Sequence, residues 1–163
     1  DFDLLQFSYH GVPERHIYKT DPTKTCNMNN CCQKEDNPSH QFCYRHQCYK
    51  VTELVCQKLG IPKEKALVTF QSRLGKDKWM EPYTDATLEG LGKKGIKKLA
   101  IVCPAFVSDC LETLEEISEE GKEIFLHGGG ERFDYIPCLN EKESWVQVVK
   151  TLCEEKLNDF YFH

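Results

Sequence analysis

A chain of 163 residues with 40% hydrophobic side chains is long enough for one domain whose core folds without covalent staples. The 29% charged content is ordinary for a soluble globular protein, and a net charge of -5 speaks against a nucleic-acid partner. No apolar run approaches the ~18 residues of a membrane span, and Asp1-Phe-Asp-Leu-Leu-Gln-Phe7 lacks the basic flank of a secretion signal. The chain has no initial Met and enters a strand almost at once, which suggests a piece of something longer.

Leu4 to Tyr9 reads as the first strand and ends in the polar break His10-Gly-Val-Pro-Glu14. A histidine at a strand end, beside a glycine where backbone can approach a ligand, is a candidate site residue. Asp21 to Phe42 then shows neither helical nor strand periodicity. A loop of that length needs a clamp, and it offers too little apolar surface to provide one by packing. Five of the ten cysteines crowd here, as Cys26-x4-Cys31-Cys32-x10-Cys43-x4-Cys48. The x4 pairs differ from the CxxC of zinc ribbons and resemble part of the plant-type iron–sulfur spacing, but four thiolates suit either metal centre, with Cys31 and Cys32 as alternatives for one place. A disulfide framework is the competing explanation, and the regular α/β patterning of the chain argues against it. The scattered Cys56, Cys103, Cys110, Cys138 and Cys153 read as small buried hydrophobes.

Cys43 to Leu59 reads as a helix with Val51, Leu54, Val55 and Leu59 on its apolar side, stopped by Gly60 and Pro62. Ala66 to Phe70 is the second strand. The turn-rich loop after it carries Trp79, which suits either the core edge or the wall of a flat apolar ligand site. Thr84 to Gly95 is a capped helix, and Lys98 to Pro104 a third, buried strand. Ser108 or Asp109 is placed to cap the next helix, where Leu111, Leu114 and Ile117 form an apolar face. Glu112, Glu116 and Glu120 recur every four residues along it and form an acidic row. Such a row is commonly a solvated face. Its position after a strand end also suits a relay of metal ions or protons. Gly128-Gly-Gly130 is a loop, and Arg132 to Leu139 is the fourth strand. Ser144 to Leu157 is a last helix, with Val146, Val149, Leu152 and Cys153 predicted to face inward.

Strand followed by helix, four times over, predicts an α/β fold: a four-stranded parallel sheet with helices on both faces and right-handed crossovers. No Gly-rich dinucleotide fingerprint follows the first strand, so a nucleotide role is not expected.

Phe7-Ser-Tyr-His-Gly-Val-Pro13, Phe70-Gln-Ser-Arg-Leu-Gly75, Trp79-Met-Glu-Pro-Tyr-Thr-Asp85, Phe106-Val-Ser-Asp-Cys-Leu-Glu-Thr-Leu114 and Cys138-Leu-Asn140 occur in the order found in ferrochelatase, the terminal enzyme of haem synthesis. The chain resembles the C-terminal half of that family. The resemblance implies a chelatase-like (Rossmann-like) domain over residues 1–163, with 21–48 a Cys-rich insertion and the N-terminal half of the enzyme absent. It implies insertion of Fe2+ into protoporphyrin IX or coproporphyrin III with release of two protons, by a half that is inactive alone. His10 and Glu112 become the catalytic, substrate-metal residues. Glu116 and Glu120 become a relay along a π-type helix, and Trp79 a porphyrin contact. Cys110 stands where many members carry His. The Cys-rich loop implies a 2Fe-2S cluster on Cys26, Cys32, Cys43 and Cys48, with Cys31 as the alternative to Cys32. The implied partners are porphyrin, ferrous iron and the N-terminal half. The implied location is the cytoplasm, with peripheral contact to the inner membrane through the missing half. The competing expectation is a stand-alone metal-binding or interaction module of the same fold without chelatase activity.

Overall fold

The computed structural model describes the backbone of residues 1–34 and 36–161, and their side chains except at 33 and 158–161. Its centre is β1 (Leu4–His10), a strand buried along nearly its whole length because both of its faces are covered. Parallel neighbours β2 (Ala66–Gln71), β3 (Lys98–Val102) and β4 (Arg132–Ile136) complete a four-stranded sheet in the order β2-β1-β3-β4. The expected fold class is the observed one.

Alternation along β1 decides which helix packs where. Leu5, Phe7 and Tyr9 share one core with Ile17 of α1 (Glu14–Thr20) and with Cys48 and Cys56 of α2 (Tyr44–Leu59). Leu4 faces the other way, onto Leu88 and Leu91 of α3 (Thr84–Lys93) and Phe125 of α5 (Lys122–His127). The second face also carries buried polar groups, which pair with one another. Gln6 donates to Thr69 at 2.8 Å, Thr84 to Thr69 at 2.9 Å, and Ser8 to Gln71 at 2.7 Å. Gly92 of α3 crosses the Gly128–Gly130 turn so closely that a Cβ would lie 2.6 Å from the Gly128 backbone.

Several expectations are corrected. Helix α1 is absent from the expected elements, because Ile17 is its one buried residue and leaves no periodic stripe to read. In α2 the buried face is Cys48, Thr52 and Cys56, while Val51, Leu54 and Leu59 are exposed; of the expected side only Val55 packs against the core. Thr52 can lie inside because its hydroxyl pairs with Tyr9 Oη at 2.8 Å. Val146, Val149, Leu152 and Cys153 of α6 (Glu143–Tyr161) are exposed. An apolar stripe shows which face wants cover, and among the described residues little lies against this one. Of the scattered cysteines, Cys56, Cys103 and Cys138 are buried as expected, and Cys153 is not.

The acidic helix begins as α4 (Leu111–Thr113) and widens into a π segment (Leu114–Gly121) before α5. The change from i→i+4 to i→i+5 pairing rotates the expected apolar face. Ile117 is buried, but Leu111 is 73% and Leu114 50% exposed. Cys110, not Ser108 or Asp109, occupies the cap position, and its N–H bonds to Thr113 Oγ1 at 2.9 Å.

Candidate active site

β1, β2 and β3 all end on one edge of the sheet, and the chain leaving each strand frames a cavity of about 550 Å³. His10, Trp79, Glu112, Glu116 and Glu120 all line it, together with Gln71 and Ser72. The five residues that the sequence singles out therefore share one space.

His10 is the last residue of β1. Its Nδ1 lies 2.6 Å from the Gly11 carbonyl, which can only accept, so Nδ1 carries a proton and Nε2 is the nitrogen left for another partner. The Phe106 and Trp79 rings stand 5.9 and 6.4 Å from the imidazole. Trp79 is half-buried and donates its indole N–H to the Leu74 carbonyl at 3.0 Å. Gly11 admits other protein rather than a ligand: its N–H bonds to the Gln71 carbonyl at 2.9 Å, and a Cβ would crowd that oxygen at 3.1 Å.

The three glutamates are held differently. Gln71 Nε2 donates to the Glu112 backbone carbonyl at 2.5 Å, tying the end of β2 to the start of the acidic helix. The Glu112 carboxyl sits below its ordinary range, chiefly through a hydrogen bond from the Cys110 thiol, with a smaller contribution from His10. Glu116 takes two hydrogen bonds from Ser72, one from its N–H and one from its hydroxyl, each at 2.7 Å. Ser72 can offer both because its φ is 65°, unusual for a residue with a Cβ. Glu120 lies exposed at the outer end.

Asp109 anchors the helix start from below. Its carboxylate accepts from Tyr135 Oη at 2.5 Å, Asn140 Nδ2 at 2.7 Å and Thr113 Oγ1 at 3.1 Å. Burial pushes this carboxyl upward, but the donors, Tyr135 first, outweigh it and hold it well below the carboxylate range.

The cysteine loop forms a second group. Cys26 Sγ lies 3.7 Å from Cys31 Sγ, which lies 4.0 Å from Cys32 Sγ. The Cys32 thiol donates to Cys43, which lowers Cys43 to about 6 and raises Cys32. Burial, with Cys31 beside it, pushes Cys26 up to about 12. Cys31 and Cys32 thus both belong to the group. Cys48 stands beside it, its thiol pushed up to about 12 mainly by burial and in contact with Tyr44. Among the described residues no three or more His, Cys, Asp or Glu side chains are arranged to hold a single ion. Polar side chains also order the loop: Asp21 accepts from the N–H of Cys26 at 2.8 Å, and Asn37 from Thr25 Oγ1 at 2.7 Å. A cross-link is therefore not its only tie. The loop also touches the first site, since Tyr44, next to Cys43, donates its hydroxyl to the His10 carbonyl at 2.9 Å.

Residues 1–157 match the family pattern described as ferrochelatase. The chain belongs to the ferrochelatase family. It is 49% identical over 156 residues to the ferrochelatase of Pseudomonas fluorescens (strain Pf0-1), covering 94% of this chain and 46% of that protein. To the ferrochelatase of Ectopseudomonas mendocina (strain ymp) it is 47% identical over 154 residues, covering 94% of this chain and 45% of the relative. The chain thus spans about half the length of the curated relatives it matches. A cobalamin (vitamin B12) biosynthesis CbiX protein from Marinobacter aquaeolei VT8 has a similar fold, with a TM-score of 0.50 at 10% identity, covering 96% of this chain and 98% of that one. No described helix of this ferrochelatase-family chain is long and apolar enough to cross a membrane.

Ser72 and Gln71 are site residues that sequence reasoning missed, and Asp109, expected only as a helix cap, is the buttress beneath the helix. Their visible signal is a change from apolar to polar residues, at Gln71-Ser72 where β2 ends and at Ser108-Asp109 before the acidic helix.

Proposed function

We propose that this chain forms the metal-insertion wall of a ferrochelatase, which places Fe2+ in a porphyrin and releases its two pyrrole protons in the last step of haem synthesis. The observation that carries this reading is the cavity shared by His10 and the file of glutamates. Porphyrin, protoporphyrin IX or coproporphyrin III, and ferrous iron are the substrates. His10 Nε2, when the ring is neutral, offers a lone pair with which to take a pyrrole proton or meet the ion. Glu112 stays ionised beside it and attracts the cation. Glu116 and Glu120 continue toward solvent as a path for ions or protons. The Trp79 ring offers a flat apolar wall to a flat ligand.

In this reading residues 1–163 are the C-terminal domain, 21–48 a Cys-rich insertion, and an N-terminal half closes the cleft and makes peripheral membrane contact from the cytoplasm. Exposed Leu74 in the cavity wall, and exposed Leu111 and Leu114 on the helix that carries Glu112 and Glu116, support such a cover. Alone, the chain has one wall of the site and no turnover.

We read the Cys group as the place of a 2Fe-2S cluster, in which each iron would take a pair of thiolates. Two thiolates on one tetrahedral metal at ~2.3 Å lie roughly 3.7 Å apart, and Cys26 and Cys31 already have that separation. Cys26, Cys31, Cys32 and Cys43 would hold the cluster, which would supply a one-electron centre and a cross-link for the loop.

The test is ferrous insertion by the full-length protein, alone and with Glu112→Gln. Turnover that depends on Glu112 supports the proposal. A full-length protein that binds porphyrin and iron without joining them would refute it.

A further inference from the structure

Arg45 lies in the first turn of α2, two residues after Cys43. Its guanidinium donates to the Met28 carbonyl at 3.0 Å, inside the Cys26–Cys31 loop, and stands 3.7 Å from Cys32 Sγ. The cation lies 5.3 Å from the centre of the Tyr49 ring, and its Nε is buried without a partner. Among the described residues no carboxylate forms an ion pair with it; nearby Glu14 is paired with Lys78 at 3.2 Å. With no described carboxylate beside it, a half-buried guanidinium is an expensive arrangement unless the thiols it faces carry the opposite charge.

We propose that Arg45 is the counter-charge of the thiolate centre formed by Cys26, Cys31, Cys32 and Cys43, and keeps that centre in its charged, metal-loaded form. The inference rests on reading the Cys group as a metal centre. A metal centre on four thiolates is net negative, and it gives Arg45 the opposite charge that no described carboxylate supplies. Disulfides would leave the guanidinium uncompensated. The guanidinium suits this role, since the Nη1 that donates to the loop carbonyl also donates toward the Cys32 sulfur, while the planar cation lies over the Tyr49 ring.

The experiment uses the full-length protein, purified without oxygen, as wild type, R45K and R45M. It reads iron and sulfide per chain, release to a chelator, midpoint potential and thermal melt. R45M is expected to release metal about tenfold faster and to shift the potential downward, because a lost cation disfavours adding an electron. R45K keeps the charge but loses the fork and the planar stacking, so it stays near the wild-type potential. A packing role would slow or speed both variants alike and leave the potential unmoved. If R45M does not fold, R45Q replaces it, since its amide still reaches a carbonyl. Equal release and potential in wild type and neutral variant overturn the counter-charge role while leaving the cluster reading intact. A chain holding one zinc, released faster from the neutral variant, supports the role and removes the iron–sulfur reading. A metal-free wild type with disulfides overturns both.

Discussion

Ser72 gives the carboxylate of Glu116 both its backbone N–H and its hydroxyl, each at 2.7 Å. The middle member of the acidic row is therefore latched to the loop after β2. Glu112 on one side answers to Cys110 and His10, and Glu120 on the other is exposed. The row is three carboxylates with three kinds of restraint, and substitutions along it should differ accordingly.

Ser72→Ala removes one of the two hydrogen bonds on Glu116, and a bond to a charged group contributes ~1.5–3 kcal/mol. In the full-length protein, iron insertion at saturating substrate should slow roughly tenfold or more, with porphyrin affinity unchanged. Ser72→Gly loses the same hydroxyl but tolerates the 65° φ without strain. It should be as slow as Ser72→Ala and melt no lower. Two variants with wild-type turnover would show that the latch has no part in the reaction.

Glu112→Gln keeps the shape of the side chain and removes the charge. Turnover should fall by orders of magnitude while porphyrin binding persists, because an amide neither holds a proton nor attracts a divalent ion well. Glu120→Gln, at the exposed end, should fall much less. Steady-state rates over a range of iron concentration distinguish the two, and equal losses would argue against a graded path.

His10→Ala should abolish insertion with a melting temperature within a few degrees of wild type. The side chain stands at a strand end and is only half-buried. Loss of activity together with a melt lowered by tens of degrees would make the imidazole a packing element instead.

Asp109→Asn tests the support beneath the acidic helix. Loss of charge-assisted bonds from Tyr135, Asn140 and Thr113 should cost about 1–3 kcal/mol, a drop of roughly 2–10 °C in melting temperature at neutral pH. The folded Asp109 binds its proton less readily than an unfolded aspartate. Its stabilisation is therefore complete above the unfolded value near 4 and disappears as the pH falls through the lower, folded value. The gap between wild type and variant should accordingly narrow in acid below about pH 4, and melts at pH 3 and pH 7 measure it.

Single Cys→Ser substitutions decide the ligand set. Cys31→Ser and Cys43→Ser should yield chains depleted of iron and sulfide when purified without oxygen, whereas Cys48→Ser should remain loaded. The opposite order would return Cys48 to the ligand set.

The sheet was legible because its strands are buried runs with clear stops, and β1, covered on both sides, cannot be mistaken for an amphipathic element. Glu112, Glu116 and Glu120 were legible as a row from spacing alone. The core face of α2 was not, because Cys48, Thr52 and Cys56 do not look like an aliphatic stripe. The exposure of α6 was not, because periodicity says nothing about what covers a face. Ser72 was not, because its role needs a left-handed backbone and a partner 44 positions away. That cysteines at 31 and 32 could join one group was also hidden. The helical turn at Cys31–Gln33 separates the two adjacent side chains enough to bring both thiols to it.

Tyr44 follows Cys43 directly and holds the His10 carbonyl at 2.9 Å. The Tyr44 side chain, one peptide link from Cys43, spans the distance from the cysteine loop to the backbone of the histidine. The opening turn of α2 thus works as a tether with two fixed ends. Slack introduced at the sulfur end has a two-step mechanical route to the imidazole, and a displacement at the imidazole can return the same way.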